Sequence, residues 1–129
     1  MSQVSIEGGC MCRQIRYKLT EKPIYSTLCH CSDCRRACGA QAVAWVTVRN
    51  ENFSYIKGEP QHYKSSPGVD RTFCPICGTS LTYQNESRAG EIDITTGSLD
   101  HPEQYPPTKD FFCRDRLPWV KPATDVLKE

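Results

Sequence analysis

The chain has 129 residues, nine of them cysteine, with 16 Lys+Arg against 15 Asp+Glu. That near-neutral balance argues against a dedicated nucleic-acid binder, which usually carries a large basic excess. Leu, Ile, Val and Phe total only 24 of the 129 residues, and without high net charge this points to a thin core held by cysteines rather than to disorder.

The length allows one domain over residues 1–129, with a C-terminal tail from about residue 118. The first residues, Met1 to Glu7, have neither the basic start nor the apolar stretch of a secretory signal. No apolar run approaches the ~18 residues of a membrane span. The expected compartment is therefore the cytoplasm, where clustered cysteines are more often metal ligands or redox groups than disulfides.

In chain order, Gly8-Gly9 marks a first turn. Ile15, Tyr17 and Leu19 then alternate with Arg16 and Lys18 as a strand, before a turn at Lys22-Pro23. Ser32 to Ala37 is the best helical candidate, with Ser32 as N-cap and an end near Gly39. Strands follow at Trp45–Val48, Phe53–Lys57, Leu81–Tyr83 and Ile92–Ile94. Turn signals lie between them, and Asp100 to Gln104 is a second short helical candidate. The pattern predicts a mainly β fold of short antiparallel strands with one or two helical turns. In the polar tail, Trp119 is expected to pack back and the last residues to fray.

The cysteines carry the chemistry. Cys74-Pro75-Ile76-Cys77-Gly78 is a C-x-x-C knuckle, which turns two thiolates toward one ion. It supplies half of a tetrahedral site, and Cys10 with Cys12 is the natural second pair. Zinc suits such a thiolate tetrahedron. The competing readings are a redox C-x-x-C, which wants a βαβ context that is absent, and free core cysteines.

Cys29, Cys31 and Cys34 lie within six residues and can converge on a second ion unaided. Their fourth position is either open, as in a catalytic zinc site, or closed by Cys38, one helical turn after Cys34. His30, between two ligands, should point away from them. Cys113 reads as a small buried apolar residue, and His62 and His101 as surface residues. Arg35 and Arg36, beside the cluster, could bind a substrate carboxylate or offset thiolate charge. Arg71 and Thr72 read as strand residues leading into the knuckle.

The joint pattern is Gly9-Cys10-Met11-Cys12, Ile15-Arg16-Tyr17, Cys29-His30-Cys31-Ser32-Asp33-Cys34-Arg35-Arg36, Arg71-x-Phe73-Cys74-x-x-Cys77-Gly78-Thr79-x-Leu81 and Pro118-Trp119. It resembles the glutathione-dependent formaldehyde-activating enzyme family, which is related to centromere protein V. The resemblance runs from about Gly8 to Trp119. It implies a β-tent fold with two zinc ions, a closed one on Cys10, Cys12, Cys74 and Cys77 and a functional one on Cys29, Cys31 and Cys34. It also implies a carbon–sulfur lyase that joins the glutathione thiol to formaldehyde, with small thiol and aldehyde substrates. Two positions depart from the family pattern. Cys38 stands where a small or hydroxyl residue is common, and Asp110-Phe111 stands where a His is common.

Three functions compete at this point. The first is a zinc enzyme on a thiol adduct, favoured by an open metal position beside a concave pocket. The second is a non-catalytic zinc module that binds another macromolecule, favoured by four protein ligands on both ions. The third is a thiol-redox or metal-buffering protein.

Overall fold

The computed structural model describes residues 4–124. The expected fraying of the last residues, together with Val126 and Leu127, lies outside that range. Two sheets form the frame. The smaller holds β1 (Ile6–Gly9), β2 (Arg16–Leu19) and β5 (Phe53–Lys57), all antiparallel. The larger has seven strands in the order β10-β3-β4-β9-β8-β7-β6. These are β3 (Tyr25–Cys29), β4 (Val43–Arg49), β6 (Gln61–Ser66), β7 (Val69–Phe73), β8 (Ser80–Asn85), β9 (Glu91–Thr95) and β10 (Lys109–Phe111). Every pairing is antiparallel except that of β10 with β3. The fold is thus mainly β with one short α-helix, α1 (Ser32–Cys38). The stretch predicted as helical near residue 100 is a 3-10 turn, Pro102–Gln104.

Alternation on β4 gives the larger sheet two covered faces. Val46 and Val48 join Ile92, Ile94 and Leu81 against Ile15, Tyr17 and Leu19 of the smaller sheet. Val43 and Trp45 face the other way and pack with Cys29, Cys34 and Tyr83. A bulge on β8 makes this division possible, because Phe73 pairs with Ser80 while Thr72 pairs with Thr82. Leu81 and Tyr83 would share a face in a regular strand. The extra residue instead sends Leu81 into the inner core and Tyr83 to the outer face.

The observed helix differs from the expected one at its start. Its N-cap is Cys31 rather than Ser32: Cys31 is extended, and its sulfur accepts a hydrogen bond from Cys34 N at 3.3 Å. Gly39 ends the helix in the left-handed conformation with φ 62, where a side chain would be strained. Trp119 does not pack back: it is 69% exposed and donates a hydrogen bond to Gln41 Oε1. Ala123 anchors the tail instead, being buried and donating its N–H to Asp110 Oδ1 at 2.9 Å. Among the described residues no helix is long and apolar enough to cross a membrane.

Candidate metal centres

The first cluster joins the two sheets at the inner core. Cys10 and Cys12 follow β1, where Arg13, with φ 67, closes a tight turn back onto Cys10 O. Cys74 and Cys77 follow β7 in a loop closed by Gly78 N to Cys74 O at 2.8 Å. Gly78 adopts φ 83 there, which favours glycine. Met11 N donates to Thr79 Oγ1 at 3.1 Å, tying the two loops together.

The four sulfurs lie within 4.8 Å of one another. Neighbouring pairs are 3.5 Å apart for Cys10 and Cys12, and 3.7 Å for Cys12 and Cys74. A tetrahedron with metal–sulfur bonds of ~2.3 Å has edges of about 3.8 Å, so the donor set fits zinc without rearrangement. Backbone N–H groups already aim at the sulfurs: Ile15 N at Cys10, and both Ile76 N and Cys77 N at Cys74, at 3.3–3.4 Å. Burial works against a Cys10 thiolate, but the Ile15 N–H and the neighbouring sulfurs outweigh it and lower the Cys10 pKa. The hydroxyl and backbone of Thr79 hold the Cys77 thiol down to about 5.

The second cluster lies on the opposite face of the larger sheet. Cys29 ends β3, Cys31 caps α1, and Cys34 sits in its first turn. Their sulfurs converge within 4.8 Å, with Cys29 and Cys31 3.4 Å apart. Cap and candidate ligand are the same atom in Cys31, so helix formation itself positions the sulfur. The bond from the Cys29 thiol, then that from Cys31 and the charge of Arg71, hold Cys34 down to about 6 against burial. Cys38 does not join the converging group. It lines a neighbouring cavity with Arg36, and burial raises its thiol.

Arg71 is a site residue that strand patterning hides. Its Nη1 and Nη2 reach Cys34 Sγ at 3.9 and 3.8 Å, and its Nε donates to Ser65 Oγ at 3.0 Å. Its guanidinium lies 4.7 Å from the centre of the Tyr83 ring, a cation–π contact. Among the described residues Arg71 alone sets a guanidinium against the cluster. Arg35 and Arg36 do not line the cavity at Cys29, Cys31 and Cys34, and Arg35 Nε is buried without a partner.

That cavity encloses about 600 Å³. The three sulfurs, Trp45, Tyr83 and Arg71 form part of its wall. A second cavity of about 610 Å³ adjoins it and shares Asp33, Trp45 and Arg71.

His30 does point away from the cysteines beside it. It is fully buried, and its Nε2 is 2.9 Å from Asp110 Oδ1. Asp110 also accepts from the backbones of Ala123 and Thr124. Burial works against the Asp110 carboxylate, but these bonds outweigh it and hold its pKa below the usual range. Cys113 is only half-buried, not a core residue, and its sulfur lies within 4.8 Å of the His30 and Asp110 ligand atoms. His62 and His101 are exposed, each near one carboxylate, as expected of surface residues.

Fold and site together define a mainly β protein with two cysteine clusters, each of which could hold a metal ion. The chain belongs to the glutathione-dependent formaldehyde-activating enzyme family, whose sequence profile matches residues 5–115. An uncharacterised lyase of Schizosaccharomyces pombe is 35% identical over 78 residues, which cover 60% of this chain and 56% of that protein. This chain therefore matches little more than half of that relative's length. The crystal structure of a Rhodobacter sphaeroides protein, a structural genomics target, aligns with a TM-score of 0.68 at 21% identity. The alignment covers 81% of this chain and 99% of that one, a shared fold. The β-tent architecture expected from the resemblance is the one observed.

Proposed function

We propose that this chain is a zinc-dependent carbon–sulfur lyase that joins a thiol to formaldehyde or a related aldehyde at Cys29, Cys31 and Cys34. One observation carries the reading: three sulfurs converge without a fourth protein ligand among the described residues, and they open into a cavity of about 600 Å³. A closed structural site would fill that fourth position with protein. Cys10, Cys12, Cys74 and Cys77 hold the other, structural zinc. Family membership and the name of the yeast relative support the reaction class, with glutathione as the co-substrate type. The compartment that suits this chemistry is the cytoplasm.

Zinc bound at the open site supplies Lewis acidity, which favours thiolate over thiol near neutral pH and polarises a carbonyl. The chain does the rest. Cys29, Cys31 and Cys34 are fixed by strand end, cap and helix turn. Arg71 orients Cys34 and offsets the thiolate charge. Arg36, at the adjoining cavity, is the better placed of the two expected carboxylate contacts, and Arg35 the worse. In the reaction a bond forms between the thiol sulfur and the aldehyde carbon, and the thiol proton ends on the carbonyl oxygen. The lyase direction reverses both changes.

The test joins zinc content to rate. Reduced full-length chain should carry two zinc ions and accelerate formation of S-hydroxymethylglutathione above the spontaneous reaction. Cys31→Ser should lose one ion and the acceleration together. A fully loaded protein that adds nothing to the spontaneous rate sinks the enzyme reading and leaves a non-catalytic zinc module.

A further inference from the structure

We propose that His30, Asp110 and Cys113 form a third metal site, which takes a divalent ion of the zinc type after the two cysteine clusters are filled. None of the three residues belongs to either cluster, so the site does not depend on the lyase reading.

Three segments bring the group together. β10 pairs in parallel with β3, so that Phe111 lies opposite Cys29 and the His30 N–H donates to Phe111 O at 3.0 Å. That pairing sets the His30 ring beside Asp110. Phe112 then adopts φ 55 and ψ 42, a left-handed conformation uncommon for a bulky residue. It leads into the 3-10 turn Cys113–Asp115, and the Cys113 sulfur comes back to the pair. One ligand atom from each of the three side chains lies within 4.8 Å of the other two.

The donors suit the ion. Zinc accepts imidazole nitrogen, carboxylate oxygen and thiolate sulfur, at ~2.0–2.3 Å. Tetrahedral edges between such ligands run to about 3.3–3.7 Å. His30 Nε2 and Asp110 Oδ1, 2.9 Å apart, need to separate by only about 0.4 Å to reach that range. The ion takes the place of the proton that His30 gives to Asp110, and the bonds from Ala123 and Thr124 to the carboxylate stay. The Cys113 thiol proton is released to solvent.

Burial and charge point the same way. The His30 side chain is fully buried and that of Asp110 is 7% exposed. His30 Nδ1 is buried with no partner among the described residues. Buried polar atoms are nearly always paired, and one left over beside a thiol and a carboxylate marks a site that an ion or water completes. Thiolate and carboxylate bring two negative charges and neutral imidazole none. A divalent ion therefore makes a neutral assembly, the form that burial penalises least. Cys113 is half-buried, which leaves the ion a way in. The other clusters offer four and three thiolates, softer donor sets that zinc fills first.

The experiment is calorimetric titration of the zinc-loaded full chain with further zinc chloride, paired with alkylation by iodoacetamide read by peptide mass spectrometry. A further equivalent should bind and should slow alkylation of Cys113 at least about tenfold, because a metal-bound thiolate is a blocked nucleophile. Cys113→Ala should lose that equivalent and keep the ions of both cysteine clusters. Cys38→Ala should keep all of them. A further equivalent that survives in Cys113→Ala at unchanged affinity overturns the site, as does its absence up to about 1 mM zinc. Alkylation of Cys113 at the same rate with and without added zinc also overturns it. That last readout uses the parent chain and follows Cys113 alone, so it decides the matter even if Cys113→Ala fails to fold.

Discussion

The Arg71 guanidinium sets two nitrogens within 3.9 Å of the Cys34 sulfur, from a strand 37 residues further along the chain. This contact ties the second cysteine cluster to the wall of its cavity. Guanidinium hydrogen bonds to a metal-ligating thiolate act as an outer shell, and losing such partners typically costs about 10–100-fold in metal affinity. Arg71→Met should weaken zinc at Cys29, Cys31 and Cys34 by that order and leave the other cluster unchanged. Arg71→Lys keeps the charge but loses the fork that reaches Ser65 and Tyr83, so it should fall between. Stepwise zinc release to a chelator reads this directly. Parallel release of both ions from Arg71→Met would show that Arg71 does not act on the second cluster alone.

The two clusters should differ in what they hold up. Cys74 is wholly buried in the main core between the sheets, while Cys31 is half-buried at the smaller one. Metal binding at a buried four-thiolate site is generally coupled to folding. Cys74→Ser should therefore unfold the domain, as should stripping all metal with a strong chelator. Cys31→Ser should keep the β signal in circular dichroism while losing one ion. Cys38→Ala should keep both ions, because its sulfur lies outside the converging group. Loss of an ion from Cys38→Ala would mean that Cys38 closes the second site.

The sequence reveals the clusters because their residues lie close together along the chain. A C-x-x-C knuckle and a C-x-C-x-x-C run announce converging sulfurs without knowledge of the fold. Strands β2, β4, β5, β8 and β9 are legible for a similar reason, since each alternates or carries β-branched residues. Strand β6 is not legible, because all six of its residues are exposed and no apolar alternation marks it. Arg71 is illegible as a site residue, since nothing local distinguishes it from any strand arginine. The same holds for His30 and Asp110, 80 residues apart, which meet only because β10 pairs in parallel with β3. The bulge on β8 breaks the period on which face assignment depends, so Tyr83 cannot be placed in the cavity from its spacing to Leu81.

Asp110 gathers the chain around the second cluster. Its carboxylate accepts from His30, from the backbones of Ala123 and Thr124, and from the Thr124 hydroxyl. Asp110→Asn turns one acceptor oxygen into a donor facing donors. Bonds to a charged group are each worth ~1.5–3 kcal/mol, so a loss of about 2 kcal/mol in folding stability is expected. The tail should be released first. Limited proteolysis should cut the variant near residues 116–124 faster than the parent, at unchanged zinc content. Equal cleavage rates would show that the tail is held by something other than Asp110.

Alkaline stability should depend on Tyr17. Its ring is fully buried and its hydroxyl is 2.6 Å from Ser98 Oγ. Burial raises its pKa well above the ordinary phenol value, and burial likewise raises Tyr55, which bonds Thr72 at 2.7 Å. The unfolded chain ionises these phenols near pH ~10. The folded chain binds their protons more tightly, so their contribution to stability is full below about pH 10 and is lost as pH rises toward the folded values. The denaturation midpoint should therefore fall as pH climbs from about 10 upward. Tyr17→Phe removes one such proton and one hydrogen bond at Ser98 Oγ, which keeps its two bonds to Thr95. It should be less stable than the parent at pH ~8 and should lose less on going to pH ~11. In absorbance titrations at fixed pH ~11, before unfolding, Tyr17→Phe and the parent should show the same tyrosinate signal. A smaller signal in the variant would mean that Tyr17 ionises inside the fold.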